Sequence, residues 1–173
     1  MKMFKKLMAV VLTGALAASM LTGCALGDKV KENALLKALE YEGKKETPIV
    51  KYEEGTKAND TAKTNLSAEM TKAKKAVKDA AETNTAAQVE TVYVASKEFV
   101  VIVKEMPNKA NKKDSWSAIA DAAHDELNSY AHKGGSKNDT IVVDIDFVND
   151  KKVAKAGSTG TEKTDFVIIV AAK

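Results

Sequence analysis

Residues 140–148, TIVVDIDFV, and residues 166–171, FVIIVA, decide the fold. In the first stretch apolar and polar residues alternate, which is typical of a β-strand with one buried face. The second stretch is apolar at every position, so both of its faces need to be covered. A sheet built around these two strands therefore requires packing on both sides.

The remaining elements are predicted from hydrophobic periodicity. Apolar residues spaced three and four apart predict helices, and runs of β-branched and aromatic residues predict strands. A short polar stretch at residues 96–98 suits a hairpin, and residues 149–164 are rich in Lys, Gly and Thr and predict a loop. The further predicted elements are a leader helix at 28–42, helices at 60–82 and 115–132, and strands at 89–95 and 99–104.

These elements predict an α+β fold in the order α-β-β-α-β-β, preceded by a signal helix and the short leader helix. Two helices pack on one face of a mostly antiparallel four-stranded sheet. The opposite face carries Val100, Ile102, Val167 and Ile169 and is predicted as an interaction face, because it is left apolar. We expect the leader helix, a second copy of the chain or a partner to cover it.

The N-terminal residues have the pattern of an export signal. A basic start at residues 1–6 precedes an apolar run at 7–20 that is short for a membrane span, and LTGC follows at 21–24. This arrangement resembles the lipobox of bacterial lipoproteins, in which small residues precede a cysteine. The resemblance implies cleavage between Gly23 and Cys24 and attachment of a diacylglyceryl group to the Cys24 thiol.

The lipobox divides the chain into three parts. These are a signal peptide at 1–23, a lipidated tether with a short helix and a linker at 24–58, and an α+β globular domain at 59–173. The resemblance implies a protein anchored to the cell membrane on its extracytoplasmic face, or to the outer membrane if the source has two membranes. The membrane is then the first predicted partner, reached through the lipid on Cys24.

The charge of the chain argues against nucleic-acid binding. The net charge is +3, from 27 basic and 24 acidic residues, but three lysines lie in the signal and the mature chain is balanced. Every basic residue is lysine, whereas arginine is the usual choice for recognising phosphates and base edges. No run of basic residues is present for anionic lipid, and a single cysteine allows no intrachain disulfide.

One helix carries residues that resemble metal ligands. Asp121, Asp125, Asn128 and His132 lie near one face of the predicted helix at 115–132, and His124 lies at the edge of its apolar stripe. Carboxylates and imidazoles bind transition metals, but metal sites usually draw ligands from several elements. The solvent-exposed face of a helix is the simpler explanation, and no metal ligand is predicted.

Two carboxylates on one strand form the other candidate. Asp144 and Asp146 share a strand face, and paired carboxylates can transfer protons or bind a cation. The polar outer face of an amphipathic strand explains them more simply. Trp116 at the start of a helix is predicted as a core anchor, with carbohydrate stacking as the alternative. No catalytic residue and no cofactor are predicted.

The stretch VETVYVASKEFVVIV at residues 89–103 follows a lysine-rich helix. In element order, residues 59–148 are similar to small α/β modules of bacterial envelope proteins, namely the BON-type domain and the YhcN/YlaJ-type sporulation lipoproteins. The resemblance implies an envelope-associated binding module and not an enzyme. It rests on element order, so no functional residue is carried over.

We therefore expect a membrane-anchored extracytoplasmic lipoprotein that acts as a non-catalytic binding module of the bacterial envelope. Its partner is a protein, a cell-wall component or a second copy of the chain. One alternative is a small-ligand or solute receptor subunit, although such receptors usually need two lobes. Another is a small envelope enzyme, which requires a concave site around His124 or around Asp144 and Asp146.

Overall fold

The computed structural model describes residues 27–46, 48–55, 60–93, 95, 98–106, 116–132, 140–157 and 159–172. Within these ranges the elements follow the order α-β-α-α-β-α-β-β. The helices are α1 (Asp28–Gly43), α2 (Asp60–Ala81), α3 (Ala86–Val89) and α4 (Trp116–His132). The strands are β1 (Lys51–Glu54), β2 (Val100–Glu105), β3 (Thr140–Ala154) and β4 (Thr161–Ala172).

The four strands form one mixed sheet in the order β1-β3-β4-β2. β1 pairs parallel with β3, whereas β3–β4 and β2–β4 are antiparallel. The all-apolar β4 lies between two neighbours, as expected for a strand that has to be buried on both faces. The predicted α+β class and the four-stranded sheet are confirmed, but the predicted element order is wrong.

Helices cover both faces of the sheet and form two separate apolar cores. One core joins the sheet to α1 and α4, and the other joins the opposite face to α2 and α3. The prediction that the helices at 60–82 and 115–132 share one face is therefore wrong. The physical reason is that β3 and β4 present apolar side chains on both faces, and one helical layer covers only one face.

The predicted interaction face lies inside the protein. Ile102, Val167 and Ile169 are at most 3% exposed, and the half-buried Val100 packs against the same core. The leader helix α1, together with α4, covers this face, so the first of the three expected coverings is the one found. These four residues stabilise the core and offer no docking surface.

Two segments differ from their predicted structure. Residues 51–54, expected within a linker, form β1, because burial of Val50 and Tyr52 fastens this stretch to β3. In the stretch 89–95, predicted as a strand, Val89 instead ends helix α3. A capping box starts α3: the Thr85 hydroxyl accepts a hydrogen bond from the Gln88 backbone N–H, and the Gln88 side chain accepts one from the Thr85 N–H.

The first strand of the predicted hairpin is not formed by the described residues of 89–95, and the turn expected at 96–98 includes Ser96 and Lys97, which lie outside the described residues. The strand at 99–104 is confirmed as β2, and the helices at 28–42, 60–82 and 115–132 are confirmed as α1, α2 and α4. No helix in the described part of the chain has both the length and the apolar content to cross a membrane.

Within residues 149–163, predicted as part of a loop, the segments 149–154 and 161–163 extend β3 and β4 into a two-stranded ribbon, and we call 149–163 the hairpin arm, of which residue 158 lies outside the described residues. A register shift between Val148 and Lys151 marks its base, where Asp150 adopts a φ of 55°. Gly157 and Gly160 also have positive φ values, which a glycine adopts at low cost in the tight turn at its tip. The arm therefore runs past the start of α1 on one face of the sheet. On the other face it stays packed: Val153 is buried in the core with α2 and α3, and the Ala154 N–H donates to the Asn84 carbonyl.

Candidate functional site

A buried imidazole lies where α4 meets the connection between α1 and β1. His124 is 3% exposed. Its Nδ1 lies 2.6 Å from the Tyr52 hydroxyl, and its Nε2 lies 3.2 Å from Oε1 of Glu46. The Tyr52 and His124 rings also meet edge to face, with centroids 5.8 Å apart. These three side chains form one hydrogen-bonded chain that joins β1, α4 and the α1–β1 connection.

The hydrogen-bond roles in this chain follow from the carboxylate. An ionised Glu46 can only accept, so Nε2 of His124 carries the proton and donates to it. When the ring is neutral, its Nδ1 accepts from the Tyr52 hydroxyl. Each polar atom at the two bonds has a partner of the right kind, which is what burial of a polar group requires.

The Tyr52 hydroxyl is held as a donor. Burial raises the pKa of Tyr52 above its ordinary value, and the negative charge of Glu46 raises it further. A phenol with a raised pKa keeps its proton, so it does not serve as a nucleophile at neutral pH. The arrangement is suited to fixing β1 against α4 by a directed hydrogen bond.

Gly43 allows the end of α1 to approach the backbone of Val50 closely, which brings Glu46 and Tyr52 near His124. A Cβ atom on Gly43, the last residue of α1, would lie 2.2 Å from the backbone oxygen of Val50. Without it the chain folds back closely, and the Val50 N–H donates to the Gly43 carbonyl at 3.0 Å. This close approach carries Glu46 and Tyr52 to the side of α4 on which His124 lies.

The residues considered as metal ligands are not brought together. Asp121 and Asp125 are exposed on the outer side of α4, whereas His124 points into the core. Asn128 is half-buried, and the side chain of His132 lies outside the described part of the structure. Among the residues that are described, no three His, Cys, Asp or Glu side chains converge on a common point.

The second carboxylate group lies under α2. Asp144 and Asp146 are half-buried, and Lys74 of α2 forms an ion pair with Asp146. Burial raises the pKa of Asp144, and the negative charges of Asp146 and Glu32 raise it further. The expected open polar face is therefore wrong, because α2 covers it. The pair combines one charge-compensated carboxylate with one that binds its proton more tightly than usual.

The other sequence-predicted positions have simple outcomes. Trp116 is confirmed as a core anchor: it is buried and meets Phe147 edge to face at 6.1 Å. Gly23 and Cys24 lie outside the described residues. Sequence reasoning missed Tyr52 and Glu46 because both fell in the predicted linker, although the alternation of Val50 and Tyr52 with charged residues is a weak strand pattern.

No family model, curated protein or solved structure matches this chain.

Proposed function

We propose that the protein is a lipid-anchored component of the bacterial envelope, held on the extracytoplasmic side of a membrane through Cys24, and that it acts by binding and not by catalysis. The motif at 21–24 carries the anchoring half of the proposal. Every position of that motif fits the lipobox, and its cysteine is the only one in the chain.

The buried Tyr52–His124–Glu46 chain supports the binding half of the proposal. Nucleophilic and acid–base sites need a reactive group within reach of substrate. Here the imidazole is almost fully enclosed and each ring nitrogen is engaged by a protein group. Such a group stabilises the scaffold on which an outer surface is presented.

Metabolic labelling with a radioactive fatty acid tests the anchor. The native protein should take up label and partition with membranes, and a Cys24→Ser variant should lose both properties. A Gly23→Ala variant is the matched control, because it keeps a small residue before the cleavage point and should label normally. Equal labelling of the native and Cys24→Ser proteins contradicts the anchor.

Cross-linking in intact cells tests the binding role. The membrane-anchored native protein should give a discrete cross-linked product with an envelope protein or cell-wall component, and this product should diminish in the Cys24→Ser strain. Turnover of a small substrate by the purified protein, abolished by a His124→Gln or Asp144→Asn change, would contradict a non-catalytic role.

A further inference from the structure

The start of α1 is fastened to the base of the hairpin arm. The Asn149 side-chain amide donates to both carboxylate oxygens of Asp28, at 3.2 and 3.3 Å. Nearby, the Lys31 ammonium lies 5.3 Å above the centre of the Phe147 ring. The point at which the chain enters the fold is therefore fixed relative to β3.

The hairpin arm and the start of α1 lie at the same end of the sheet. The end of α1 lies beside Val50, just before β1, and β1 runs parallel to β3 from the first residue of β3. The start of α1 consequently lies at the end of the sheet toward which β3 runs. From Asn149 to Lys155 the arm continues for about 20 Å, at roughly 3.3 Å per residue.

The linkage to the proposed anchor is shorter than the arm. Only residues 25–27 separate Cys24 from Asp28, so an extended chain between them spans at most about 14 Å. The polar headgroup layer adds only roughly 6 Å on each side of the hydrocarbon. With Cys24 acylated in the bilayer, the base of the arm lies within roughly 10 Å of the headgroups, and an arm about 20 Å long that points toward the bilayer reaches them.

The charge of the arm suits an anionic surface. It carries four lysines and two carboxylates, whereas the mature chain as a whole has equal numbers of basic and acidic residues. Lys152 and Lys163 are exposed and lie directly opposite one another in the β3–β4 register. Like charges in directly opposed positions repel. The one ion pair described for these two lysines, Lys163 with Asp150, is exposed and 3.9 Å long, so it offsets little of this repulsion. An anionic headgroup between the two ammonium groups would relieve that repulsion.

We propose that the hairpin arm rests on anionic lipid headgroups and orients the protein on its membrane, with the α1–β1 connection facing away from the bilayer. This inference depends on acylation at Cys24, that is, on the proposed function. Lys152 and Lys163 are separated in sequence and become neighbours only because β3 and β4 pair in the arm. Contact with the headgroups adds a second, weaker attachment to the lipid anchor.

Fluorescence quenching in vesicles tests the orientation. The acylated protein is reconstituted in vesicles of phosphatidylcholine, with or without phosphatidylglycerol, that contain a lipid with a nitroxide on its headgroup. A single thiol is introduced by Ala156→Cys at the tip of the arm or by Ile49→Cys at the opposite end, and is labelled with a fluorescent maleimide. The label at position 156 should be quenched strongly and the label at 49 weakly, with a larger difference in the anionic vesicles.

Charge variants then test the role of the lysines. In anionic vesicles, the equilibrium constant for contact between the arm and the headgroups should fall roughly fivefold for each lysine removed in a Lys152→Gln/Lys163→Gln variant. The quenching of the label at position 156 reports this fall. A Lys44→Gln/Lys51→Gln variant removes the same charge at the opposite end, from two exposed positions, and should leave quenching at 156 unchanged.

The outcomes separate the two proposals. Failure of the native protein to float with either kind of vesicle overturns the anchor and the orientation together. Flotation with equal quenching at 156 and 49 overturns the orientation alone. If quenching at 156 is strong but does not change with lipid charge or with the Lys152→Gln/Lys163→Gln substitutions, the electrostatic contact is overturned.

Discussion

Removing the Tyr52 hydroxyl should destabilise the fold measurably. Tyr52→Phe keeps the ring but leaves Nδ1 of His124 without its donor, in a site where the imidazole is 3% exposed. A buried acceptor that loses its hydrogen-bond donor lowers the free energy of unfolding by about 1–3 kcal/mol. For a domain of this size that corresponds to a fall in Tm of roughly 2–12 °C.

Urea unfolding followed by fluorescence measures this cost. The chain has a single tryptophan, Trp116, which is buried in the same core as Tyr52 and reports unfolding directly. Tyr41→Phe is the matched control: Tyr41 is 44% exposed, so its loss of a hydroxyl should change stability by less than about 0.5 kcal/mol. Equal stability of Tyr52→Phe and the native protein would refute the hydrogen-bonded chain.

A double-mutant cycle sharpens the test. In a His124→Leu background the Tyr52 hydroxyl has lost its acceptor and is itself buried. The same Tyr52→Phe change should then be neutral or stabilising, which gives a coupling energy of about 0.5–3 kcal/mol. Additive effects of the two substitutions would show that the two side chains do not interact.

Three further predictions concern other parts of the fold. Gly43→Ala should lower the free energy of unfolding in urea by about 3 kcal/mol or more, because its Cβ meets the Val50 backbone. In the control, Gly27→Ala, the new Cβ meets no atom within 4 Å, so the loss should be under about 1 kcal/mol. Similar losses in the two variants would contradict the close approach. Ile169→Lys should abolish cooperative unfolding, because it buries an unpaired charge between α1 and the sheet; a well-folded variant by circular dichroism would contradict the covered face. Asp144→Asn should stabilise the protein at pH 7, because a raised pKa means that the ionised carboxylate disfavours the folded state. This gain should disappear as the pH falls toward 3.8, the ordinary pKa of the carboxyl group. A constant or reversed effect across a pH series of unfolding curves would refute this.

The central strands were predictable because their patterns are strong. The alternation at 140–148 and the continuous apolar run at 166–171 required a half-buried and a fully buried strand, and the structure has both. The same run required two covered faces. Which helices lie on which face was not predictable, because a helical stripe records that a face is buried and not what it packs against.

The errors arose where local pattern and tertiary packing compete. Residues 89–95 have a strand-like composition, but the capping box at Thr85 and Gln88 starts a helix that carries Val89 into the core. β1 is only four residues long and charged on its exposed side, so it resembled a linker. The Tyr52–His124 bond joins positions 72 residues apart, and nothing local in the sequence reports such a contact.

Mass spectrometry of the N-terminal peptide from membrane-extracted protein tests the central claim most directly. The lipid-anchor proposal predicts a mature chain that begins at Cys24, with residues 1–23 absent and a diacylglyceryl group on the sulfur. A chain that retains residues 1–23, or one that begins elsewhere with an unmodified Cys24 thiol, would contradict it.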